Sequence, residues 1–326
     1  MKPEAQGAIS PPTVGVAVIT HEARDHLRHC LPLLLRSPLR PRILVVNSSS
    51  GDGTVEEARR LGAEVLLVPR REFNHGLTRE HARRFLGTDI VVMLSPDVYP
   101  TDEGFLERLT EPVRSGTAAV AYGRQLPRPG AGPLERLGRE FSYPAHSQLR
   151  SLADWLHYGS YTHFCSNACA AWSNAALDCI GGFRATLVSE ETIAAAELLR
   201  YGGRIAYVAD ATVVHSHPLS LAAEVSRHFD IGYTRRRYAA LLRARERDEV
   251  GGRAFARAAI RQALREQPAE LPRTTAHLAA KWLGYRLGLL GPSLPLPVAR
   301  RLSGQDYFWN TAVARAPREA VMGSPA

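Results

Sequence analysis

Three side chains that can bind a divalent cation lie where two predicted strands end. Asp97 follows the apolar strand predicted over 89–95, His215 lies at the end of the strand predicted over 204–216, and His217 directly follows it. The two histidines are two residues apart, so they share one face of that strand. Mg²⁺ and Mn²⁺ are often bound by one or two carboxylates together with substrate phosphates. We predict that Asp97, His215 and His217 hold Mg²⁺ or Mn²⁺. The alternative is an Asp that caps a turn, with one buried and one surface histidine.

Two adjacent carboxylates, Glu190 and Glu191, precede a helix predicted from Ile193 onwards. Burial or a nearby anion raises the pKa of a carboxyl group towards neutrality, as a general base requires. Acidic residues also begin helices because they favour the positive end of the helix dipole. Taken alone, Glu190 and Glu191 are explained by the helix dipole. Their place in a series of polar segments instead favours a catalytic role.

Three further polar segments join a predicted strand to the element that follows it: VVNSSSGDGT (45–54), FNHGLTREHA (73–82) and GRQLPR (123–128). Backbone N–H groups at a helix N-terminus favour an anion or the edge of a nucleobase. In the second segment Thr78 is the expected N-cap. Arg79 would then lie in the first helical turn, where a cation opposes the dipole, so we expect it to meet an anion.

Alternating strand and helix patterns position these segments. Apolar strands over 13–20, 42–47, 63–69 and 89–95 alternate with helices over 22–36, 54–62 and 78–86, which is typical of βαβ units and a parallel sheet. A second half adds strands over 118–123, 169–173 and 204–216, the last broken near Asp210. We predict an α/β, doubly wound, mostly parallel sheet flanked by helices. Ligands of such sheets bind outside the carboxyl ends of the strands.

The chain divides by composition into four parts. Residues 1–12 are predicted to be a disordered leader, 13–218 the catalytic domain, 219–310 a helical C-terminal extension rich in arginine, and 311–326 a disordered tail. No apolar run reaches the ~20 residues of a membrane span, and the N-terminus lacks the apolar stretch of a signal peptide. These features predict a cytoplasmic protein.

The net charge of +9 favours an anionic partner such as a sugar nucleotide, nucleic acid or an anionic membrane, although it also fits simple solubility. No nucleic-acid reading motif is present, so we expect no nucleic-acid partner. The first strand-to-helix turn lacks Gly-x-Gly-x-x-Gly, which argues against a dinucleotide-dependent dehydrogenase. Cys165 and Cys169 have no second ligand pair nearby for zinc.

In order and content, the segments above, together with LSPDV (94–98), SEET (189–192) and HSHPLS (215–220), resemble family 2 glycosyltransferases of the GT-A fold, specifically their rhamnosyltransferase-like branch. RHFDIGYTRRRY (227–238) and DYFWN (306–310) extend the resemblance. It implies an inverting enzyme of cell-envelope polysaccharide biosynthesis. The expected donor is dTDP-L-rhamnose, and the acceptor is a hydroxyl of a lipid-linked or growing polysaccharide.

The resemblance also implies roles for individual residues. Glu191 is the expected base for the acceptor hydroxyl, with Glu190 beside it, and Asp97 replaces the family's acidic metal motif. Asn47 stands where the family usually has an acid that contacts the base. The residues expected to bind the nucleotide sugar are Thr20, Glu22, Asn47, Ser49, Asp52, Asn74, His75, Gly76, Arg79 and Arg124.

Two alternatives remain open at this point. Asn47, the single Asp97 and Glu in place of the family's Asp keep open a catalytically silent sugar-nucleotide-binding protein. A UDP-sugar donor is the other, because uracil and thymine present a similar edge. The arginines of the helical extension fit either an ordinary solvated helix face or peripheral contact with an anionic membrane on its inner face.

Overall fold

The computed structural model describes residues 11–242, 248–311 and 314. Its centre is one nine-stranded sheet. The strands are β1 (Val14–Thr20), β2 (Arg42–Asn47), β3 (Glu64–Leu67), β4 (Ile90–Leu94), β5 (Tyr99–Pro100), β6 (Val120–Leu126), β7 (Gln148–Arg150), β8 (Cys169–Ser173) and β9 (Ile205–Val214).

Thirteen α-helices lie within the described residues, joined in places by short 3-10 turns. The helices are α1 (Arg24–Leu35), α2 (Thr54–Arg60), α3 (His75–Leu86), α4 (Phe105–Arg114), α5 (Pro133–Ser142), α6 (Trp155–Tyr158), α7 (Asn174–Cys179), α8 (Glu190–Arg200), α9 (Leu221–Arg237), α10 (Ala239–Leu242), α11 (Asp248–Glu266), α12 (Leu271–Leu290) and α13 (Leu296–Leu302).

The strand order is β3-β2-β1-β4-β8-β6-β9-β5, with β7 paired to β9. The strands β1 to β4, β6 and β9 run in one direction, and β8 lies antiparallel between β4 and β6. This confirms the predicted α/β architecture, a mostly parallel sheet flanked by helices. The carboxyl ends of β1, β2, β4, β6 and β9 therefore meet along one edge.

The apolar content of the central strands explains why the sheet is covered on both faces. All seven residues of β1 are buried. Val16 and Val18 pack into one hydrophobic core with α1 and α4, whereas Ala17 and Ile19 pack into a second core on the other face. Strands buried on both faces are typical of parallel sheets.

The predicted break in the last strand near Asp210 is wrong. β9 is continuous, but its pairing register with β6 shifts in the middle of the strand. Gly123 pairs with Val208, whereas the next residue, Arg124, pairs with Thr212. A β-bulge of this kind leaves the ladder intact on both sides while bending the strand. A Cβ on Gly123 would lie 2.6 Å from the oxygen of Ala211, so the bulge also requires glycine there.

The helical extension packs onto the sheet through its last described segment. Tyr307, Phe308 and Trp309 are buried in the same core as β4, β6 and β8. The predicted leader at 1–12 and tail at 311–326 lie almost wholly outside the described residues, as does 243–247 of the predicted helical region. The four-part division stays a prediction. No helix in the described part is long and apolar enough to cross a membrane.

Candidate active site

The ends of β1 and β2 carry the first group of predicted site residues. Thr20 and Asn47 are the last residues of these strands and are 2% and 1% exposed. The Asn47 side-chain amide donates to Oγ of Ser50 at 2.7 Å and to Oγ1 of Thr20 at 3.3 Å, while its oxygen accepts from the Ser50 N–H. Asn47 thus holds the loop after β2 in place. Ser50, which accepts one of these hydrogen bonds, was not predicted from sequence as a site residue.

Glu22, Ser49 and Asp52 lie on the two loops held by Asn47, and all three are exposed. Glu22 and Ser49 have φ angles of 49° and 56°, in the left-handed region that non-glycine residues rarely adopt. The Glu22 N–H donates to Oγ of Ser50 at 2.7 Å, which joins the loops. Burial slightly opposes the charge on Asp52, but hydrogen bonds from Thr54 and the Arg24 N–H hold the pKa of Asp52 below its usual value.

The predicted metal ligands come together as a compact group after β4 and β9. Oδ2 of Asp97 lies 3.2 Å from Nε2 of His215 and 3.5 Å from Nδ1 of His217. The ligand atoms all lie within 4.8 Å of one another. Burial alone would raise the pKa of Asp97, but hydrogen bonds with the two histidines outweigh it and hold that pKa well below the usual range.

Gln125 sets the tautomer of His215. Its side-chain oxygen accepts from Nη1 of Arg139 at 2.5 Å and lies 2.9 Å from Nδ1 of His215. Because this oxygen only accepts, Nδ1 of His215 carries a proton, and burial lowers the pKa of His215, which favours loss of the proton on Nε2. Once it has lost that proton, Nε2 presents a lone pair beside the Asp97 carboxylate, an arrangement that suits a cation. Gln125 was part of the GRQLPR motif but was not singled out.

Glu190 and Glu191 are the first residues of α8. Asn167 donates to Oε1 of Glu190 at 3.0 Å, and Nη1 of Arg79 contacts the same atom at 3.0 Å. Burial raises the pKa of Glu190, but Arg79, His75 and Asn167 together outweigh it and lower that pKa, so Glu190 is ionised. Burial and the neighbouring charge of Glu190 then raise the pKa of Glu191 to about 8.

The anion that Arg79 meets in this structure is Glu190. Nη1 of Arg79 also donates to the backbone oxygen of His75 at 3.0 Å, and Nε2 of His75 lies 3.0 Å from the hydroxyl of Tyr307. Burial lowers the pKa of His75. Through Tyr307, the helical extension therefore supports the N-terminus of α3. The only sequence signal for this contact was the motif DYFWN, which contains Tyr307.

Asn74 and Gly76 hold α3 against the loop that leads to Glu190. Asn74, not the predicted Thr78, is the N-cap: its side-chain oxygen accepts from the N–H groups of Gly76 and Leu77, both at 3.1 Å. Its side-chain nitrogen donates to the oxygen of Thr186. A Cβ on Gly76 would lie 1.8 Å from the oxygen of Arg184, so the close approach requires glycine.

A short series of contacts links the metal-ligand group to the carboxylate pair. Gln125, bound to His215, donates to Oγ of Ser166 at 3.0 Å. The next residue, Asn167, holds Glu190. The carbonyl oxygen of Ala168 accepts from the N–H of Ser95, which places this segment at the carboxyl end of β4. This segment therefore connects the metal-ligand group to the carboxylate pair.

Arg124 lies on β6 at the same edge, between Gly123 and Gln125. Its side chain is partly buried, and its Nε atom is buried without a hydrogen-bond partner among the described residues. A partly buried guanidinium with an unused donor suits a planar anionic group such as a phosphate. Its predicted role in donor binding remains a prediction.

The sequence model of "Glycosyl transferase family 2" matches residues 15–181. The chain belongs to this family. It is 32% identical to the O-antigen chain rhamnosyltransferase WbaN of Salmonella anatum over 284 residues, covering 85% of this chain and 89% of that protein. It is also 32% identical to the O-antigen chain rhamnosyltransferase RfbN of Salmonella typhimurium, covering 85% and 90%. The predicted resemblance to the rhamnosyltransferase-like branch is confirmed, and this family 2 protein is an inverting glycosyltransferase.

Solved structures show the same GT-A fold. The mannosyltransferase PcManGT from Pyrobaculum calidifontis, in complex with GDP-Man and Mn²⁺, has a TM-score of 0.55 and 18% identity, covering 93% of this chain and 86% of that chain. Residues 1–349 of S. aureus TarS in complex with UDP-GlcNAc have a TM-score of 0.53 and 15% identity, covering 91% and 89%.

Proposed function

We propose that this family 2 glycosyltransferase moves L-rhamnose from dTDP-L-rhamnose to a hydroxyl of a lipid-linked or growing polysaccharide of the O-antigen type. The observation that carries the proposal is Glu191: this carboxylate has a raised pKa, and its neighbour Glu190 is linked by a series of contacts to a group suited to a diphosphate-bound cation. The two rhamnosyltransferase relatives support the sugar, since each is aligned over most of both chains.

Glu191 takes the proton from the acceptor hydroxyl as its oxygen attacks the anomeric carbon of the donor. The new glycosidic C–O bond forms on the face opposite the leaving group, so the configuration inverts. The bond between the anomeric carbon and the diphosphate oxygen breaks, and its electron pair leaves with dTDP. A base whose pKa lies near working pH serves this proton transfer well.

Asp97, His215 and His217 would hold the divalent cation. Its chemistry when bound is to offset the charge that develops on the leaving diphosphate. The group fits such an ion because the ionised carboxylate and the Nε2 lone pair of His215 converge. Of the two predicted ions we propose Mn²⁺, since Mg²⁺ prefers oxygen ligands and imidazole suits the transition metals better.

The acceptor we propose is bound to a lipid carrier, and the enzyme works at the cytoplasmic face of an anionic membrane. The net charge of +9 supports this location, because a basic protein is attracted to anionic headgroups. The nucleotide end of the donor would lie against the loops after β1 and β2, where Glu22, Ser49 and Asp52 are exposed.

Donor binding tests the proposal first. The purified protein is titrated with dTDP-rhamnose, UDP-glucose, UDP-galactose and GDP-mannose, each with and without Mn²⁺. We expect selective, Mn²⁺-dependent binding of dTDP-rhamnose, followed by transfer to a rhamnose-accepting lipid-linked oligosaccharide. Selective binding of a UDP-sugar would show that the donor is that UDP-sugar and not dTDP-rhamnose. Binding without transfer across an acceptor panel would favour the catalytically silent alternative.

A further inference from the structure

The helix α12 exposes an apolar stripe along its outer face. Trp282 is 65% exposed, Leu290 59% and Leu283 45%. Ala276 and Ala279 continue the stripe towards the helix N-terminus and are also exposed. Ala276, Ala279, Trp282 and Leu283 recur at the three- and four-residue spacing that places side chains on one side of a helix. Leu290 follows one turn beyond the exposed Arg286.

The opposite side of α12 is fixed against α9, so the stripe cannot turn inward. A Cβ on Gly284 would lie 2.3 Å from the oxygen of Val225, and one on Gly288 would lie 2.2 Å from the oxygen of Phe229. Nζ of Lys281 contacts the buried carboxylate of Glu224 at 2.8 Å. Backbone contact and an ion pair together determine which face of α12 meets solvent.

The helices that come before and after α12 in the chain, α11 and α13, add cations and further apolar side chains. Residues 248–302 contain nine Lys or Arg and four Asp or Glu. Ile260 and Leu264 are exposed on α11, and Leu296 and Val298 on α13. The exposed arginines beside them on these two helices are Arg253, Arg257, Arg261, Arg265, Arg300 and Arg301.

We propose that the outer face of α12, with the exposed arginines of α11 and α13, docks on the surface of an anionic lipid bilayer. Trp and Leu that insert at the headgroup boundary, beside arginines that meet lipid phosphates, characterise helices that lie in a membrane interface. A second copy of this chain fits less well, because it would oppose one arginine-rich surface to another. The α12 helix is about 30 Å long and can lie along the bilayer plane.

The outer face of α12 would be the surface that makes the membrane contact proposed above. The biological purpose of this docking rests on the proposed lipid-linked acceptor. The docking itself requires neither donor nor acceptor. Binding to vesicles without substrate therefore separates a failure of the docking surface from a failure of the proposed activity.

The test is co-sedimentation of the full chain with phosphatidylcholine vesicles that contain phosphatidylglycerol, and with pure phosphatidylcholine vesicles. We expect binding to the anionic vesicles that weakens with added salt. Trp282→Glu should lower the partition by about tenfold or more, the factor that corresponds to about 1.4 kcal/mol of lost apolar burial. The matched control Tyr201→Glu changes an aromatic residue that is 62% exposed at the end of α8, and it should leave binding unchanged.

A charge-reversal pair tests the arginines separately. Arg257→Glu with Arg261→Glu should also lower binding by about tenfold or more, since each basic residue near an anionic surface contributes roughly 1 kcal/mol. Arg59→Glu with Arg200→Glu, exposed on α2 and α8, is the control with the same change of net charge. Transfer to a soluble acceptor should be unchanged in all four variants. Equal losses in test and control variants, or a dimer in light scattering that Trp282→Glu dissociates, would overturn the proposal.

Discussion

Arg79 and Glu190 form a buried ion pair, with Nη1 and Oε1 3.0 Å apart and side chains only 8% and 4% exposed. The pair fixes a negative charge immediately before Glu191 in the chain. Because two neighbouring carboxylates resist ionising together, the charged Glu190 keeps the pKa of Glu191 raised. In the proposed mechanism, the buried pair thus prepares Glu191 for proton transfer near neutral pH.

Replacing Glu191 by Gln should abolish most transfer. The amide keeps the size of the side chain but cannot accept the hydroxyl proton, so we expect kcat to fall by about 10²–10⁴-fold. Donor affinity, measured by calorimetry, should be nearly unchanged, because Glu191 acts on the acceptor. Glu56→Gln on the exposed side of α2 is the matched control. Full transfer activity in Glu191→Gln would exclude this residue as the base.

The activity should rise with pH through the pKa of Glu191, which lies at about 8, because only the ionised carboxylate accepts a proton. Glu190→Gln removes the neighbouring negative charge, so the pKa of Glu191 falls and the rise moves to lower pH. Arg79→Met removes a positive charge that lowers that pKa, so the rise moves to higher pH. The measurement is kcat/KM against pH for the three proteins.

A merely structural role for the pair would not produce these opposite shifts. If both variants lost activity equally at every pH, the pair would stabilise the fold without tuning Glu191. Arg79→Met leaves Glu190 buried without its cation, a change that costs about 3–5 kcal/mol in comparable sites. Its unfolding midpoint should therefore be measured in parallel, and its pH profile should be recorded below the temperature at which it begins to unfold.

Much of the site was predictable from sequence because the parallel sheet brings strand ends together. Asp97, His215 and His217 were expected to share one ion, and their ligand atoms indeed lie within 4.8 Å of one another. Each follows a strand that is apolar enough to be recognised, and β4 and β9 point to the same edge. Strand identity and direction were sufficient to place these side chains.

The contacts between α3, α8 and the helical extension were not predictable in the same way. Sequence indicated that Arg79 would meet an anion, yet Glu190 is 111 residues away, and its selection depends on tertiary packing. Tyr307, which contacts His75, is 232 residues away. Asn74 caps α3 in place of Thr78 because its amide also reaches Thr186, a partner that local sequence does not reveal.

Asp97→Asn should remove the Mn²⁺ dependence of donor binding. The amide keeps the shape of the side chain but lacks the charge that balances a divalent ion. We expect the stimulation of dTDP-rhamnose binding by Mn²⁺ to disappear, and the paramagnetic resonance signal of free Mn²⁺ to stay undiminished on adding protein. Asp25→Asn, on the exposed start of α1, serves as the control. Unaltered Mn²⁺ binding in Asp97→Asn would place the ion elsewhere.

Gly288→Ala should loosen the packing between α9 and α12. The new Cβ would lie 2.2 Å from the oxygen of Phe229 and 2.9 Å from the Cα of Gly232, and neither backbone atom can move without shifting a helix. Overpacking of this kind costs about 1–3 kcal/mol, measured as the free energy of unfolding in urea. In contrast, no described residue lies within 4 Å of the corresponding Cβ at Gly252 on α11. Gly252→Ala should therefore stabilise by up to about 1 kcal/mol through helix propensity alone. Equal effects of the two substitutions would show that α9 and α12 are farther apart than the glycine contacts require.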